Sequence, residues 1–179
     1  MPKNGYSAIV FVHDYIPPSE YATTQRYVDY LARNCFIVFK INLRGNGDSQ
    51  GQASGVYFSS VYVIDTLNAY AALQNLSLVN PAKIGLWIHS MAGNIVLRAM
   101  AVKPNIPTTD IWSGAVYTYT DQREYWIHDL SYCSPQITDV RQNSRQSIFA
   151  KVDTPSATNK FWKEIAPTSY LKDLKGTIL

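Results

Sequence analysis

Lys83-Ile84-Gly85-Leu86-Trp87-Ile88-His89-Ser90-Met91-Ala92-Gly93-Asn94-Ile95-Val96-Leu97 is the stretch that decides how this chain folds. Its first half is a short, continuous apolar run, the pattern of a strand buried on both faces of a parallel sheet. Its second half opens a mostly apolar helix that extends to Val102. Ser90 stands where the two meet, with no loop between them. A serine on so sharp a turn is pushed out above the sheet, where its hydroxyl can meet a carbonyl carbon. The same turn aims the amide of Met91 at the oxygen of that carbonyl. The plain alternative is a serine that caps a helix. Strand and helix backbones crowd at such a turn, so small residues are expected on both sides of it. Ala92 and Gly93 meet that demand after the serine, while Ile88 fails it before and is expected to press strand or helix outward.

Upstream, Ala8-Ile9-Val10-Phe11-Val12 reads as another buried strand, followed by His13-Asp14-Tyr15 and a Pro17-Pro18-Ser19 loop. A helix should follow, capped by Thr23 or Thr24, with Thr24, Tyr27, Val28 and Leu31 on one face and Asn34 at a left-handed end. Cys35 begins the next apolar run and is expected to be buried. Phe36 to Phe39, running on to Ile41, is the second strand. A Gly-rich loop, Arg44 to Gly51, leads to a helix that starts after Ser59-Ser60 and carries Val63, Leu67, Tyr70 and Ala71 on its apolar face. Asn80-Pro81 is expected to turn the chain into the Lys83 strand.

Downstream, Ile111-Trp112 with Gly114-Ala115-Val116 reads as a fourth strand. Four alternations of strand and helix imply a three-layer α/β/α sandwich with a mainly parallel sheet. Residues 117–172 change character, rich in Tyr, Trp, Gln and Arg and broken by Pro135, Pro155 and Pro167. They are expected to form short helices as a lid or insertion within a single domain spanning 1–179. Thr177-Ile178-Leu179 looks like the beginning of a fifth strand, so the sheet is expected to be incomplete at its C-terminal side. The strands at Ala8–Val12 and Thr177–Leu179 are expected to present open edges that invite self-association.

Composition narrows the classes. Of the 179 residues 46% are hydrophobic and 16% are charged, which fits one packed domain rather than a disordered chain. The net charge is +3 from 16 basic and 13 acidic residues, scattered without a basic stripe, so nucleic acid is not an expected partner. Cys35 and Cys133 are the only cysteines, too few for a disulfide framework, and no Cys/His group has zinc-ligand spacing. No apolar run approaches the roughly 20 residues of a membrane span. A cytoplasmic protein with no metal and no organic cofactor is expected. Gly45, Gly47 and Gly51 do not open directly into a helix, which argues against a dinucleotide loop. Asn75-Leu76-Ser77 matches a glycosylation sequon but falls at a helix end.

Three segments together carry a resemblance. His13-Asp14-Tyr15-Ile16-Pro17-Pro18, Arg44-Gly45-Asn46-Gly47-Asp48-Ser49-Gln50-Gly51 and His89-Ser90-Met91-Ala92-Gly93 resemble three segments of the prolyl-oligopeptidase-like (S9) serine peptidases and related esterases of the α/β-hydrolase fold. Those are a His-Gly-Tyr loop, an Arg-Gly-His-Gly-x-Ser-x-Gly loop and a Gly-His-Ser-Met-Gly-Gly elbow. Phe161-Trp162 with Pro167-Thr168-Ser169-Tyr170-Leu171 is similar to the stretch before that family's next core strand. The likeness spans nearly the whole chain but only the middle of the family's catalytic domain.

The resemblance implies an ester- or peptide-cleaving domain with a small-molecule ester or a peptide as substrate. Ser90 would attack, and the amides of Met91 and Tyr15 would hold the oxyanion. The departures are equally specific. Asp14 stands where the family has Gly, and its carboxylate is expected to oppose an anion there. Asn46 replaces a His, and Ile88 replaces the elbow Gly. The family's acid and histidine come after later strands, so the triad is expected to be incomplete in this chain, with His128 the one candidate base left. The competing expectation is an inactive fragment or a pseudoenzyme that keeps the scaffold for binding.

Overall fold

A computed structural model describes residues 2–14, 22–52, 59–121 and 139–179, with 22–24 and 139–145 as backbone only. Its centre is a five-stranded sheet in the order β2-β1-β3-β4-β5, in which every pairing is parallel. The strands are β1 (Tyr6–Val12), β2 (Ile37–Ile41), β3 (Val79–His89), β4 (Thr108–Trp112) and β5 (Thr177–Ile178). The helices are α1 (Ala22–Arg33), α2 (Val61–Gln74), α3 (Ala92–Val102), a single turn α4 (Tyr119–Asp121), α5 (Asp139–Val152) and α6 (Lys160–Ile165). A 3₁₀ helix, Pro167–Asp173, precedes β5.

Alternation along the strands sorts side chains onto two faces. Val10, Val12, Leu86 and Ile88 join the core formed with Val63 and Tyr70 of α2 and Ile95, Val96 and Ala99 of α3. Phe11 and Trp87 point the other way, where Phe11 stacks on Trp87 with centroids 4.5 Å apart. Tyr27 of α1 meets Trp87 at 5.2 Å and Trp112 at 5.3 Å. Helices therefore lie on both faces, as the alternation of elements predicts. The α1 face also opens a groove of about 830 Å³ walled by Tyr30, Phe36, Trp87 and Trp112.

α3 is buried almost all round, as an apolar helix must be. Beyond it, the described part of 117–172 brings Trp162 into the core. There Trp162 packs on Tyr119, Phe149 and Phe161 and donates its indole N–H to the Asp153 carbonyl at 3.1 Å. Asn159 caps α6 by accepting from the Phe161 N–H at 3.0 Å.

Several local expectations are corrected. α1 begins at Ala22, so Thr23 and Thr24 lie in its first turn rather than at its cap. Its end is closed by Cys35, not Asn34. Cys35 has φ +66° and is exposed, because a residue that turns the chain left-handed just past a helix projects from the surface. Asn34 instead donates its side-chain N–H to the Tyr30 carbonyl at 2.8 Å. Asn80-Pro81 is a bulge inside β3, where the register against β1 shifts between Tyr6 and Ala8. Ala71 is exposed on α2. β4 stops at Trp112, and Gly114 to Val116 do not continue it. β1 is not an edge: it pairs with both β2 and β3, and the outer strands are β2 and β5. No helix among the described residues is long and apolar enough to cross a membrane.

Candidate active site

The turn at Ser90 is held in a left-handed backbone conformation, φ +53°, which L-residues other than Gly enter at a cost of about 1–2 kcal/mol. Its backbone is bracketed by the end of β4. The Ser90 N–H donates to the Trp112 carbonyl at 3.0 Å. The Ser90 carbonyl accepts from the Gly93 N–H at 3.0 Å and the Ala115 N–H at 2.8 Å. Ser113, at φ +49°, bends the chain so that Gly114 and Ala115 lie across the start of α3.

The fit there is close. A Cβ on Gly93 would sit 2.7 Å from the Ala115 nitrogen and 2.9 Å from the Gly114 Cα. The demand for a small residue after the serine is thus a demand of the 113–115 segment as much as of β3. Gly114, expected in the fourth strand, lies past its end and packs against Gly93 instead. The signal for it is Ser-Gly directly after the β4 run, a turn pair. Ile88 is fully buried in the core between β3 and the α2–α3 layer.

Ser90 is half-buried, and its Oγ has no hydrogen-bond partner among the described residues. The Met91 side chain is buried at 2% exposure, which anchors the first residue after the turn, and its N–H is not spent on a backbone carbonyl among the described residues. Tyr15 and His128 lie outside the described residues.

The two described histidines have other partners. His13 is buried, its Nε2 accepting from the Leu43 N–H at 3.2 Å and its Nδ1 lying 2.6 Å from the Asp14 carbonyl. These bonds assign the proton to Nδ1. Burial pushes the His13 pKa below its ordinary 6.5, partly opposed by the hydrogen bond to Asp14, so the neutral ring is favoured. His89 reaches back from the end of β3 to Asp14, with Nδ1 3.1 Å from Oδ2. Asp14 Oδ1 is shielded from solvent and has no partner among the described residues. The Asp14 carboxylate is therefore tied to the residue that precedes Ser90.

The Arg44–Gly51 loop is built for support. The Arg44 Nε donates to both carboxylate oxygens of Asp65 at 3.0 Å, and the Arg44 N–H donates to Oδ2 at 3.1 Å. Asn46 donates to the Leu43 and Arg44 carbonyls and to the Tyr62 hydroxyl. Among the described residues the next helix after the loop, α2, begins at Val61. Among the described residues no group of three His, Cys, Asp or Glu could hold a metal ion.

No family model matches the sequence. No curated protein matches it either. Solved structures do. A dipeptidyl peptidase 4 of Porphyromonas gingivalis is similar at a TM-score of 0.64 and 15% identity, over 98% of this chain and 23% of that one. A puromycin-hydrolysing peptidase of Mycobacterium tuberculosis is similar at 0.62 and 19%, over 97% of this chain and 25% of that one. An esterase of Pyrococcus furiosus is similar at 0.62 and 14%, over 97% of this chain and 60% of that one. The chain thus spans from about a quarter to three fifths of these three structures. With a parallel sheet in the order β2-β1-β3-β4-β5 and a left-handed serine between β3 and α3, this chain has the α/β-hydrolase fold.

Proposed function

We propose that this is a serine-hydrolase-type domain acting on ester or peptide bonds, with Ser90 as the attacking group. The observation that carries the reading is the Ser90 backbone, φ +53° at a strand-to-helix turn, with no described residue bonded to its Oγ. A helix cap needs no such conformation, since a cap residue normally sits in the extended region.

In this reading Ser90 Oγ bonds to the carbonyl carbon, and the carbonyl π electrons move onto its oxygen. The amides of Met91 and Tyr15 hold that oxyanion, each such donor being worth about 10²–10³ in rate. The leaving group departs with a proton, and water then cleaves the acyl-serine. The Oγ proton needs a base, and no described side chain is bonded to Ser90 Oγ. His13 and His89 are committed to Asp14 and Leu43. That observation favours weak activity in this chain by itself, and it is what supports the second reading, a scaffold kept for binding.

The test is phosphonylation of Ser90 by a fluorophosphonate, in which Oγ bonds to phosphorus and fluoride leaves, followed by intact mass over hours. Slow labelling that disappears in Ser90→Ala is the expected result. A chain that gains no Ser90 adduct at high reagent concentration overturns the hydrolase reading and leaves the scaffold.

A further inference from the structure

We propose that Asp14 and His89 are a positioning pair that fixes the chain leaving β1 against the Ser90 elbow. This rests on the reading of Ser90 as the attacking group. β1 and β3 run side by side in register, Val12 opposite Ile88. Asp14 lies two residues beyond that level on one strand and His89 one residue beyond on the other. Their side chains close the gap, Nδ1 to Oδ2 at 3.1 Å, between residues 75 apart in sequence.

Asp14 is held twice. Its carbonyl receives the His13 Nδ1–H at 2.6 Å, and the other nitrogen of that ring is pinned by the Leu43 N–H. That carbonyl closes the described end of the chain leaving β1, so the His13 ring fixes where that end sits. The carboxylate is the second hold, and among the described residues His89 is the donor it meets, while Oδ1 has none. His89 is bonded covalently to the attacking residue. The pair therefore ties the chain leaving β1 to the residue that precedes Ser90 and Met91, and it gives the carboxylate a donor on the side of the turn.

The alternative view of Asp14, as a charge that repels the oxyanion, predicts the opposite sign. The experiment uses the full chain and compares wild type, Asp14→Ala, Asp14→Asn, His89→Gln and the Asp14→Ala/His89→Gln double variant. It reads Ser90 acylation by p-nitrophenyl acetate, the tautomer of His89 by long-range ¹H–¹⁵N spectra, and thermal melting. Asp14→Ala and His89→Gln should each slow acylation about tenfold without weakening ester binding, and the double variant should be no slower than either. Asp14→Asn, which keeps the shape and an acceptor, should recover part of the rate, and it carries the test if Asp14→Ala does not fold. The His89 proton should leave Nδ1 in Asp14→Ala. Faster acylation in Asp14→Ala, or unchanged acylation with a lowered melting temperature, overturns the proposal. So does a tautomer indifferent to Asp14. A wild type that forms no Ser90 adduct overturns the nucleophile reading itself, which is a different outcome from a labelled wild type with indifferent variants.

Discussion

Replacing Gly93 with alanine tests the packing of the elbow directly. The added Cβ would lie 2.7 Å from the Ala115 nitrogen, 2.9 Å from the Gly114 Cα and 3.0 Å from the Gly114 carbonyl carbon. All three are backbone atoms, which cannot rotate away. Reaching an ordinary contact of 3.4 Å requires the 113–115 segment to retreat by about 0.7 Å. The Ala115 N–H donates to the Ser90 carbonyl at 2.8 Å, and a retreat of that size would take the bond to its limit. Overpacking costs about 1–3 kcal/mol and the weakened hydrogen bond about 1 more. The gain in helix propensity from Gly to Ala returns about 1 kcal/mol. The net loss is about 1–3 kcal/mol, a melting shift of roughly 2–10 °C for a chain of this size. Urea unfolding should show a lower midpoint at an unchanged slope, and fluorophosphonate labelling of Ser90 should slow. Stability equal to or above wild type would refute the reasoning, because it would mean that helix propensity alone governs the position.

Further outcomes are expected elsewhere. His13 has a folded pKa below its unfolded value, so the unfolded chain binds more protons just below the ordinary 6.5. Its contribution to stability is therefore complete above pH 6.5 and is lost as pH falls through the lower folded value. A urea midpoint that declines from pH 7 to pH 5 should decline less in His13→Gln, and identical slopes would contradict this. Cys35→Gly should stabilise the fold by about 1 kcal/mol, by relieving a side chain at φ +66°, and should abolish rapid reaction of the native chain with a thiol reagent at that position. The outer strands β2 and β5 expose Phe39 and Ile178, so light scattering should show association that rises with concentration and falls in Phe39→Lys; a monodisperse monomer at high concentration refutes it. If His128 is the missing base, His128→Gln will remove whatever Ser90-dependent acylation the wild type shows.

Much of the fold is legible because apolar runs are local. Ala8–Val12, Phe36–Ile41 and Ile84–Ile88 announce buried strands by composition alone, and the Ser90 turn announces itself by placing a serine between strand and helix. What periodicity lacks is lateral order. Nothing in Ala8–Val12 says that two strands flank it, which is why it reads as an edge and proves central. Backbone roles just past an element are equally hidden. Cys35 looks like the first residue of a buried run, yet the helix ahead of it needs a left-handed residue there. The candidate site is legible at Ser90, Met91 and Gly93, which fall within one short run of sequence. The His89–Asp14 pair spans 75 residues and depends on β1 lying beside β3, so it becomes visible only in three dimensions.

The aromatic cluster on the α1 face gives the protein an optical voice. Trp87 and Trp112 have ring centroids 5.8 Å apart with planes inclined at 50°, and Tyr27 touches both. Chromophores this close and this skewed couple their transitions, so the near-ultraviolet circular dichroism should carry a strong signal that free tryptophan lacks. Both indoles are also wired to the elbow. Trp87 lies three residues before Ser90 on β3, and the Trp112 carbonyl receives the Ser90 N–H. A covalent adduct on Ser90, or a shift of the 113–115 segment, should therefore change ellipticity and emission without any added label.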